Sequence, residues 1–255
     1  MDVAAHPTDF LRALEEEVHV WLTRPDEVVD SEHLAACRAM LSDDERARLA
    51  RLRREPDRRA FLAAHALVRS ALSRYADVPP EDWSFAANHW GRPEIAGPGA
   101  VPALRFSLSH TSGLTACAVA LDCDCGVDVE AFDRRGDPLK LARRVLSPKE
   151  LADLEARAAG ARRDCFLAYW TLKEAYVKAR GLGLSLPLRQ FSFSLSGERI
   201  RIEFAAPGDD VASSWQFASL QPTPRHVLAI AVRRGDGPER RIVVRETLPG
   251  ADQRE

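Results

Sequence analysis

The chain has 255 residues, of which 45% are hydrophobic and 29% are charged, and its net charge at pH 7 is −2. This composition is typical of a globular protein, and the near-neutral charge argues against broad electrostatic binding of nucleic acid or of an anionic membrane. The longest apolar run, residues 114–121, is too short to span a bilayer, and residues 1–10 lack the pattern of a secretory signal. Five cysteines without CxxC spacing predict reduced thiols and a cytoplasmic protein, with a metal pair at Cys123 and Cys125 as the alternative.

The predicted elements occur twice, 105 residues apart. "LSDDERARL" (41–49) falls on "LSPKELADL" (146–154), and "RRAFLAAHAL" (58–67) falls on "RDCFLAYWTL" (163–172). Each half is predicted to begin with a strand, at 17–22 and at 125–130. A short helix with a capping box follows, formed by Ser42 with Glu45 and by Ser147 with Glu150. A longer helix comes next, at about 57–75 and 163–180, and then strands with period-2 alternation.

The repeat predicts the fold class and its division. We expect an α+β fold, an internally duplicated pseudo-two-fold monomer in which each half is a small antiparallel sheet packed with helices. The predicted halves are residues 1–124 and 125–255, and the second carries the metal-binding carboxylates. The active site is expected at the interface between the halves, where a cleft suits a ligand.

The first candidate site is the predicted strand "GVDVE" (126–130). Asp128 and Glu130 are two residues apart, so their side chains point to the same face of the strand. Two neighbouring carboxylates repel each other unless a cation or a proton lies between them. Such hard oxygen ligands suit Mg²⁺, although a solvent-facing edge strand with two charges is the simpler alternative.

The second candidate is the helix "YWTLKEAYVKARGLG" (169–183). Only four of the 36 basic residues are lysines, and two of them, Lys173 and Lys178, flank Glu174 here. The spacing of Glu174 and Lys178 is also that of an ordinary surface ion pair. In an arginine-rich chain, however, a surface pair would more often use arginine, whereas lysine is a compact charge suited to a phosphate. Under the 105-residue shift Lys173 and Glu174 correspond to Val68 and Arg69, so these charges are special to the second half.

Three weaker signals lie in the first half. "RFSLSHTSG" (105–113) is predicted to be a strand that leads into a turn, in which Ser109 and His110 face either a phosphate or solvent. "WGRPEI" (90–95) is a turn that carries one cation, Arg92. The dense basic run 45–59 is either a solvated helix face or a positive patch.

Together these segments resemble a known family. "GVDVE" followed about forty residues later by "WTLKEAYVKARGLGL", and preceded by "WGRPEI" and "FSLSHTSG", resembles the 4′-phosphopantetheinyl transferases of the surfactin-synthetase-activating type. The resemblance covers nearly the whole chain, including its doubled architecture. It implies an enzyme that transfers the phosphopantetheine arm of coenzyme A to a serine of an acyl or peptidyl carrier protein, releasing 3′,5′-ADP.

The resemblance also implies residue roles. It makes Asp128, Glu130 and Glu174 the Mg²⁺ ligands, and Glu174 and Lys178 the catalytic residues. The residues implied to bind coenzyme A are Arg46, Arg59, Arg92, Pro93, Ser109, His110, Lys173 and Lys178. Arg143 and Arg144 are candidate contacts for an acidic carrier protein, with a solvated helix turn as the alternative. The pathways expected are polyketide or nonribosomal peptide biosynthesis.

Two other functions remain open on the sequence. One is a catalytically silent module of the same fold that binds a carrier protein or a nucleotide. The other is a different Mg²⁺-dependent phosphotransferase, since the spacing of the carboxylates alone does not name the substrate.

Overall fold

The computed structural model describes residues 6–28, 30–99, 101–133, 137–195, 197, 199–206, 208 and 210–251. Within them the chain divides into two compact units. The first comprises residues 1–89, 93–122 and 240–255, and the second comprises residues 90–92 and 123–239. No described helix combines the length and the apolar character that a bilayer crossing requires.

In the part of the chain that the structure describes, the first unit contains six strands and four α-helices. Its elements are α1 (Pro7–Ala13), β1 (Glu17–Thr23), α2 (Ser31–Ala39), α3 (Asp43–Arg51), α4 (Glu55–Leu72), β2 (Ser84–Ala87), β3 (Pro93–Gly97), β4 (Leu104–Thr111), β5 (Leu114–Leu121) and, at the end of the chain, β11 (Arg241–Glu246). One sheet has the order β11-β1-β5-β4, and β2 and β3 form a separate hairpin. α4 packs mainly on β5 and β4.

The second unit repeats this connection order. Its elements are β6 (Cys125–Ala131), α5 (Pro138–Val145), α6 (Pro148–Ala156), α7 (Arg162–Arg180), β7 (Phe191–Ser194), β8 (Arg201–Phe204), β9 (Trp215–Thr223) and β10 (His226–Arg233). Its sheet has the order β6-β10-β9, which corresponds to β1-β5-β4, and β7 and β8 form the separate hairpin. α7 packs mainly on β6 and β10.

Both predicted capping boxes are confirmed. Ser42 and Ser147 accept hydrogen bonds from the backbone N–H groups of Glu45 and Glu150, each at 3.3 Å. The glutamates accept in turn from the serine N–H groups, at 2.9 and 2.8 Å. The α+β class with helices packed on small sheets is likewise confirmed.

Two predictions about the halves need correction. Residues 240–255 belong to the first unit, because β11 pairs with β1 in parallel and an ion pair joins Arg241 to Glu17. The first sheet is therefore mixed and not purely antiparallel. Residues 90–92 belong to the second unit, and the main division falls after Asp122, two residues before the predicted boundary. The first long helix also starts and ends earlier than predicted, at Glu55 and Leu72.

Each unit has its own apolar core. In the first unit Trp21, Leu67 and Tyr75 are among the buried side chains between α4 and the sheet. In the second unit Leu172 and Tyr176 of α7 pack with aromatic residues of β7 and β9. These cores fix the positions of α7 and β6, on which the candidate site is built.

Candidate active site

One face of β6 carries both predicted metal ligands and is covered by α7. Val127 and Val129 are fully buried on one side of the strand, so Gly126, Asp128 and Glu130 share the other side. A Cβ atom on Gly126 would lie 1.9 Å from the carbonyl oxygen of Ala175 in α7. Glycine is therefore required at this position, because the backbones of α7 and β6 approach too closely for a side chain. A glycine within a strand pattern is the sequence signal for such an approach.

Two side chains of α7 hold the two carboxylates of β6. The indole Nε1 of Trp170 donates to Glu130 Oε1 at 3.0 Å. Eight residues later, Lys178 Nζ donates to Asp128 Oδ1 at 2.8 Å and to the carbonyl oxygen of Val127 at 3.0 Å. The helix and the strand consequently run in opposite directions past each other.

Glu174 lies between these two contacts. It follows Trp170 by four residues and precedes Lys178 by four, so all three side chains share one face of α7. Because its neighbours on that face contact Glu130 and Asp128, helical periodicity places Glu174 on the side of α7 that faces β6. The predicted catalytic residues Glu174 and Lys178 thus belong to one face with the predicted metal ligands.

Lys173 does not belong to this face, and its predicted contact with a coenzyme A phosphate is wrong. Its side chain is 0% exposed, and its ammonium donates to Glu150 Oε2 at 2.9 Å. It also donates to the carbonyl oxygens of Leu188 and Phe191, each at 2.7 Å. An ammonium has three N–H donors, so all of them are used within the protein and none can reach a phosphate.

The first unit contains the counterpart of this buried pair. Arg69 is 2% exposed, and its guanidinium lies 2.8 Å from Glu45, the glutamate of the first capping box. Arg69 stands one residue after Val68, the position that the 105-residue shift assigns to Lys173. A buried cation beside a capping-box glutamate therefore stabilises both halves, and it carries no information about catalysis.

The donor set of the β6–α7 face suits Mg²⁺ in its chemistry. Among the described residues no group of three or more His, Cys, Asp or Glu side chains is already arranged as a metal site. Mg²⁺, however, is usually bound through one or two protein carboxylates, with water and substrate phosphates as the other ligands. Asp128 and Glu130 lie on the same face of β6 and supply such carboxylates. The residues therefore fit a magnesium ion that binds together with a phosphate substrate.

Arg92 lies against the C-terminal end of α7. Its guanidinium donates to the carbonyl oxygen of Ala179 at 2.8 Å and reaches Asp124 Oδ1 at 3.4 Å. Gly181 has φ +63° and leaves room for it, because a Cβ there would lie 3.1 Å from Arg92. Arg92 thus caps the helix that carries Glu174 and Lys178, while its predicted contact with coenzyme A, and that of the exposed Pro93, stay predictions.

Ser109 and His110 lie on strand β4 and not in the turn that was predicted for them. They pair with Ala116 and Thr115 of β5, and the turn itself is formed by residues 112 and 113. Ser109 is nearly buried and His110 is exposed. Their proposed phosphate contacts stay predictions.

The two arginines predicted from the basic run bind nearby acids. Arg46 on α3 pairs with Asp43 at 2.7 Å, and Arg59 on α4 pairs with Glu55 at 3.1 Å. Both guanidinium groups remain partly exposed, at 47% and 37% of the side-chain surface. They keep access to solvent, and their contacts with a nucleotide stay predictions.

Comparison with known proteins shows which family models and which relatives this chain matches. A model described as "4'-phosphopantetheinyl transferase superfamily" matches residues 124–231, and one described as "4'-phosphopantetheinyl transferase, N-terminal" matches residues 28–121. The 4′-phosphopantetheinyl transferase HetI of Nostoc is 32% identical over 223 residues, which cover 87% of this chain and 90% of that protein. The 4′-phosphopantetheinyl transferase Sfp of Bacillus subtilis is 28% identical over 221 residues, covering 86% and 93%.

Proposed function

Because the chain belongs to the 4′-phosphopantetheinyl transferase family and transfers the phosphopantetheine arm of coenzyme A to carrier proteins, we propose that the β6–α7 face is its active site and that the reaction depends on Mg²⁺. The acceptor is a serine of an acyl or peptidyl carrier protein, and the second product is 3′,5′-ADP. The observation that carries the proposal is that Trp170 and Lys178 hold Glu130 and Asp128 on either side of Glu174.

Asp128, Glu130 and Glu174 are the residues that we propose to hold the metal ion. They supply carboxylate oxygens, which Mg²⁺ prefers, from two elements whose backbones are in contact. When bound, the ion neutralises charge on the pyrophosphate of coenzyme A. The rigid packing of α7 on β6 keeps the three carboxylates from moving apart.

Two side chains of α7 take part in the transfer itself. The carrier serine must lose its hydroxyl proton as it attacks the β-phosphate of coenzyme A, and Glu174 is our candidate for the base that accepts it. Lys178 is our candidate for the group that stabilises the developing negative charge. Its side chain is 28% exposed, and two of its three N–H donors have partners among the described residues. One donor is therefore left for a phosphate oxygen.

The remaining contacts are proposed from the family resemblance. Ser109 and His110 are assigned to the coenzyme A phosphates, and Arg46, Arg59, Arg92 and Pro93 to its nucleotide end. Lys173 is withdrawn from this set because it is buried. Arg143 and Arg144, both exposed in the last turn of α5, are candidate contacts for an acidic carrier protein.

Three further properties belong to the proposal. We propose that the enzyme acts as a monomer, since its second half repeats the first and a doubled chain supplies both copies of the fold. The five cysteines all lie in the described part of the chain and none of them forms a disulfide there, which supports a cytoplasmic location. The pathway served is proposed to be polyketide or nonribosomal peptide biosynthesis.

Mass spectrometry of a carrier protein tests the proposal. The protein is incubated with coenzyme A, Mg²⁺ and an apo carrier protein, and the carrier should gain the mass of the phosphopantetheine arm. Removal of divalent ions by EDTA should stop the gain. Asp128→Asn should lower the rate at least about 100-fold, as expected for loss of a metal ligand at an active site. Asp133→Asn, which breaks an exposed ion pair with Arg225 just after β6, is the matched control and should have no effect.

The same assay separates the alternatives. Binding of coenzyme A without transfer to any of several carriers would favour a silent binding module. Transfer that persists unchanged in EDTA would contradict the metal site, even though the family activity would stand.

A further inference from the structure

Trp170 makes a contact that none of the proposed catalytic roles uses. Its indole N–H donates to Glu130 Oε1 at 3.0 Å, from a half-buried position one helical turn before Glu174. The indole ring stacks on Phe166, with ring centroids 6.1 Å apart and an interplanar angle of 23°. The ring is thus held on its own helix, and its N–H fixes the rotation of the Glu130 carboxylate.

The two neighbouring carboxylates are held by donors of different charge. Asp128 is held by the ammonium of Lys178, which carries a positive charge. Glu130 is held by an indole N–H, which is neutral. A divalent cation that approaches Asp128 is repelled by Lys178, whereas the indole of Trp170 adds no positive charge beside Glu130.

We infer that Trp170 is a positioning residue for the divalent cation: it orients Glu130 as the carboxylate that the ion binds first, without competing with the ion for charge. The inference rests on the proposed metal site at the β6–α7 face. Groups that hold a metal ligand in place in this way typically change metal affinity by about 10- to 100-fold when they are removed.

Direct binding of Mn²⁺ tests this inference without reference to turnover. Mn²⁺ prefers the same oxygen ligands as Mg²⁺ and can be titrated by electron paramagnetic resonance on the full chain with coenzyme A present. Trp170→Phe keeps an aromatic ring but removes the N–H, and it should weaken Mn²⁺ binding about 10-fold or more. The matched control is Trp215→Phe, which removes a similar indole bond of 2.8 Å to Asp210 in the same unit. That variant should bind Mn²⁺ within twofold of wild type.

A double-mutant cycle shows whether Trp170 acts through Glu130. In an E130Q background, adding Trp170→Phe should weaken Mn²⁺ binding by less than about twofold, because the carboxylate that Trp170 orients is already gone. An equal loss in both backgrounds would overturn the inference, as would wild-type affinity in folded Trp170→Phe. If the wild-type protein binds no Mn²⁺ with coenzyme A, both the inference and the proposed metal site fail. If the wild-type protein binds Mn²⁺ and Trp170→Phe binds it equally well, the proposed metal site stands and the inference fails.

Nuclear magnetic resonance keeps the inference testable if Trp170→Phe does not fold. The chain has five tryptophans, so a ¹⁵N-tryptophan sample gives five indole N–H signals. One of them should shift in E130Q, and the same signal should be broadened by Mn²⁺ in the wild-type protein. A signal that shifts in E130Q but is untouched by saturating Mn²⁺ would overturn the inference.

Discussion

Lys173 and Lys178 lie five residues apart on α7, and they differ in exposure and in how many of their N–H donors the protein binds. Lys173 is 0% exposed, and all three of its N–H donors are bound by the protein. Lys178 is 28% exposed and has two partners among the described residues. Burial lowers the pKa of Lys173, and its pairing with Glu150 partly offsets this. One helix therefore uses the same residue type for stability on one face and for chemistry on another.

The first half shows which of the two lysines belongs to the scaffold. Its long helix α4 also carries a buried cation, Arg69, against the capping-box glutamate Glu45. Each cation also lies over an aromatic ring: Arg69 is 4.8 Å from the ring centre of Phe85, and Lys173 is 4.2 Å from that of Phe191. A feature that is present in both halves is explained by the fold. Among the described residues, the hydrogen bonds of Lys178 go to Val127 and Asp128 of β6, and Lys178 is the better candidate for function.

Loss of the buried cation should have the largest effect on stability. Lys173→Met keeps the length of the side chain but leaves Glu150 buried without its partner charge, so the free energy of unfolding should fall by about 3–5 kcal/mol. Urea denaturation measures this loss. Arg69→Met should give a loss of similar size in the first half, and a loss below about 1 kcal/mol in Lys173→Met would contradict the scaffold role.

Lys178→Ala should lower activity strongly and stability only slightly, which is the reverse of the effect expected for Lys173→Met. Removing one group that stabilises charge in a transition state lowers kcat/KM about 10²- to 10³-fold. We expect this loss in the carrier-loading assay, with a smaller loss of stability than in Lys173→Met, because the ion pair with Asp128 is partly exposed. Lys149→Ala is the matched control, since Lys149 forms an ion pair with Glu203 in which both side chains are more than half exposed. Full activity in Lys178→Ala would show that Lys178 has no role in the reaction.

The sequence predicted the parts of the structure that depend on local spacing. Each capping box joins residues three apart, and the common face of Asp128 and Glu130 follows from strand alternation, so both were readable. The role of Lys173 was not, because its acceptors on residues 188 and 191 lie in a loop and a strand whose approach to α7 is set by tertiary packing. Rarity of lysine was a misleading signal for this residue.

Long-range pairing accounts for most of the other differences. β11 joins β1 across more than 200 residues, and nothing in its local pattern indicates a parallel partner. The counterpart of Lys173 was missed because Arg69 is displaced by one residue from the repeat. Trp170 precedes Glu174 by four residues in the sequence, but its hydrogen bond to Glu130 depends on how closely α7 approaches Gly126.

Acid should weaken the first half through Glu45. Burial by itself would raise the pKa of Glu45, but hydrogen bonds from His65 and from the Ser42 N–H, with the charge of Arg69, lower it to about 2. The ordinary value is 4.5, so the stabilisation is complete above about pH 5 and is lost as the pH falls toward 2. We expect a loss of about 3 kcal/mol at most over this range.

Unfolding free energies at pH 7 and pH 3 measure the effect of acid. In Glu45→Gln the stability at pH 7 should be lower and its decrease at pH 3 smaller than in the wild-type protein. If Glu45→Gln and wild type lose the same stability on acidification, the titration of another group is responsible.

The smallest expected effect concerns the end of α7 that follows Lys178. Gly181 and Gly235 have similar left-handed backbones, with φ +63° and +60°. Alanine is strained in this region by about 1–2 kcal/mol, so Gly235→Ala, whose Cβ would meet nothing within 4 Å, measures the backbone strain alone. Gly181→Ala should lose slightly more stability, because its Cβ would lie 3.1 Å from Arg92 and would displace the guanidinium from the Ala179 carbonyl. Carrier loading should fall in Gly181→Ala and not in Gly235→Ala, because the first substitution moves the end of α7 that Arg92 caps. Equal activity in the two variants would show that Arg92 does not fix the position of Lys178.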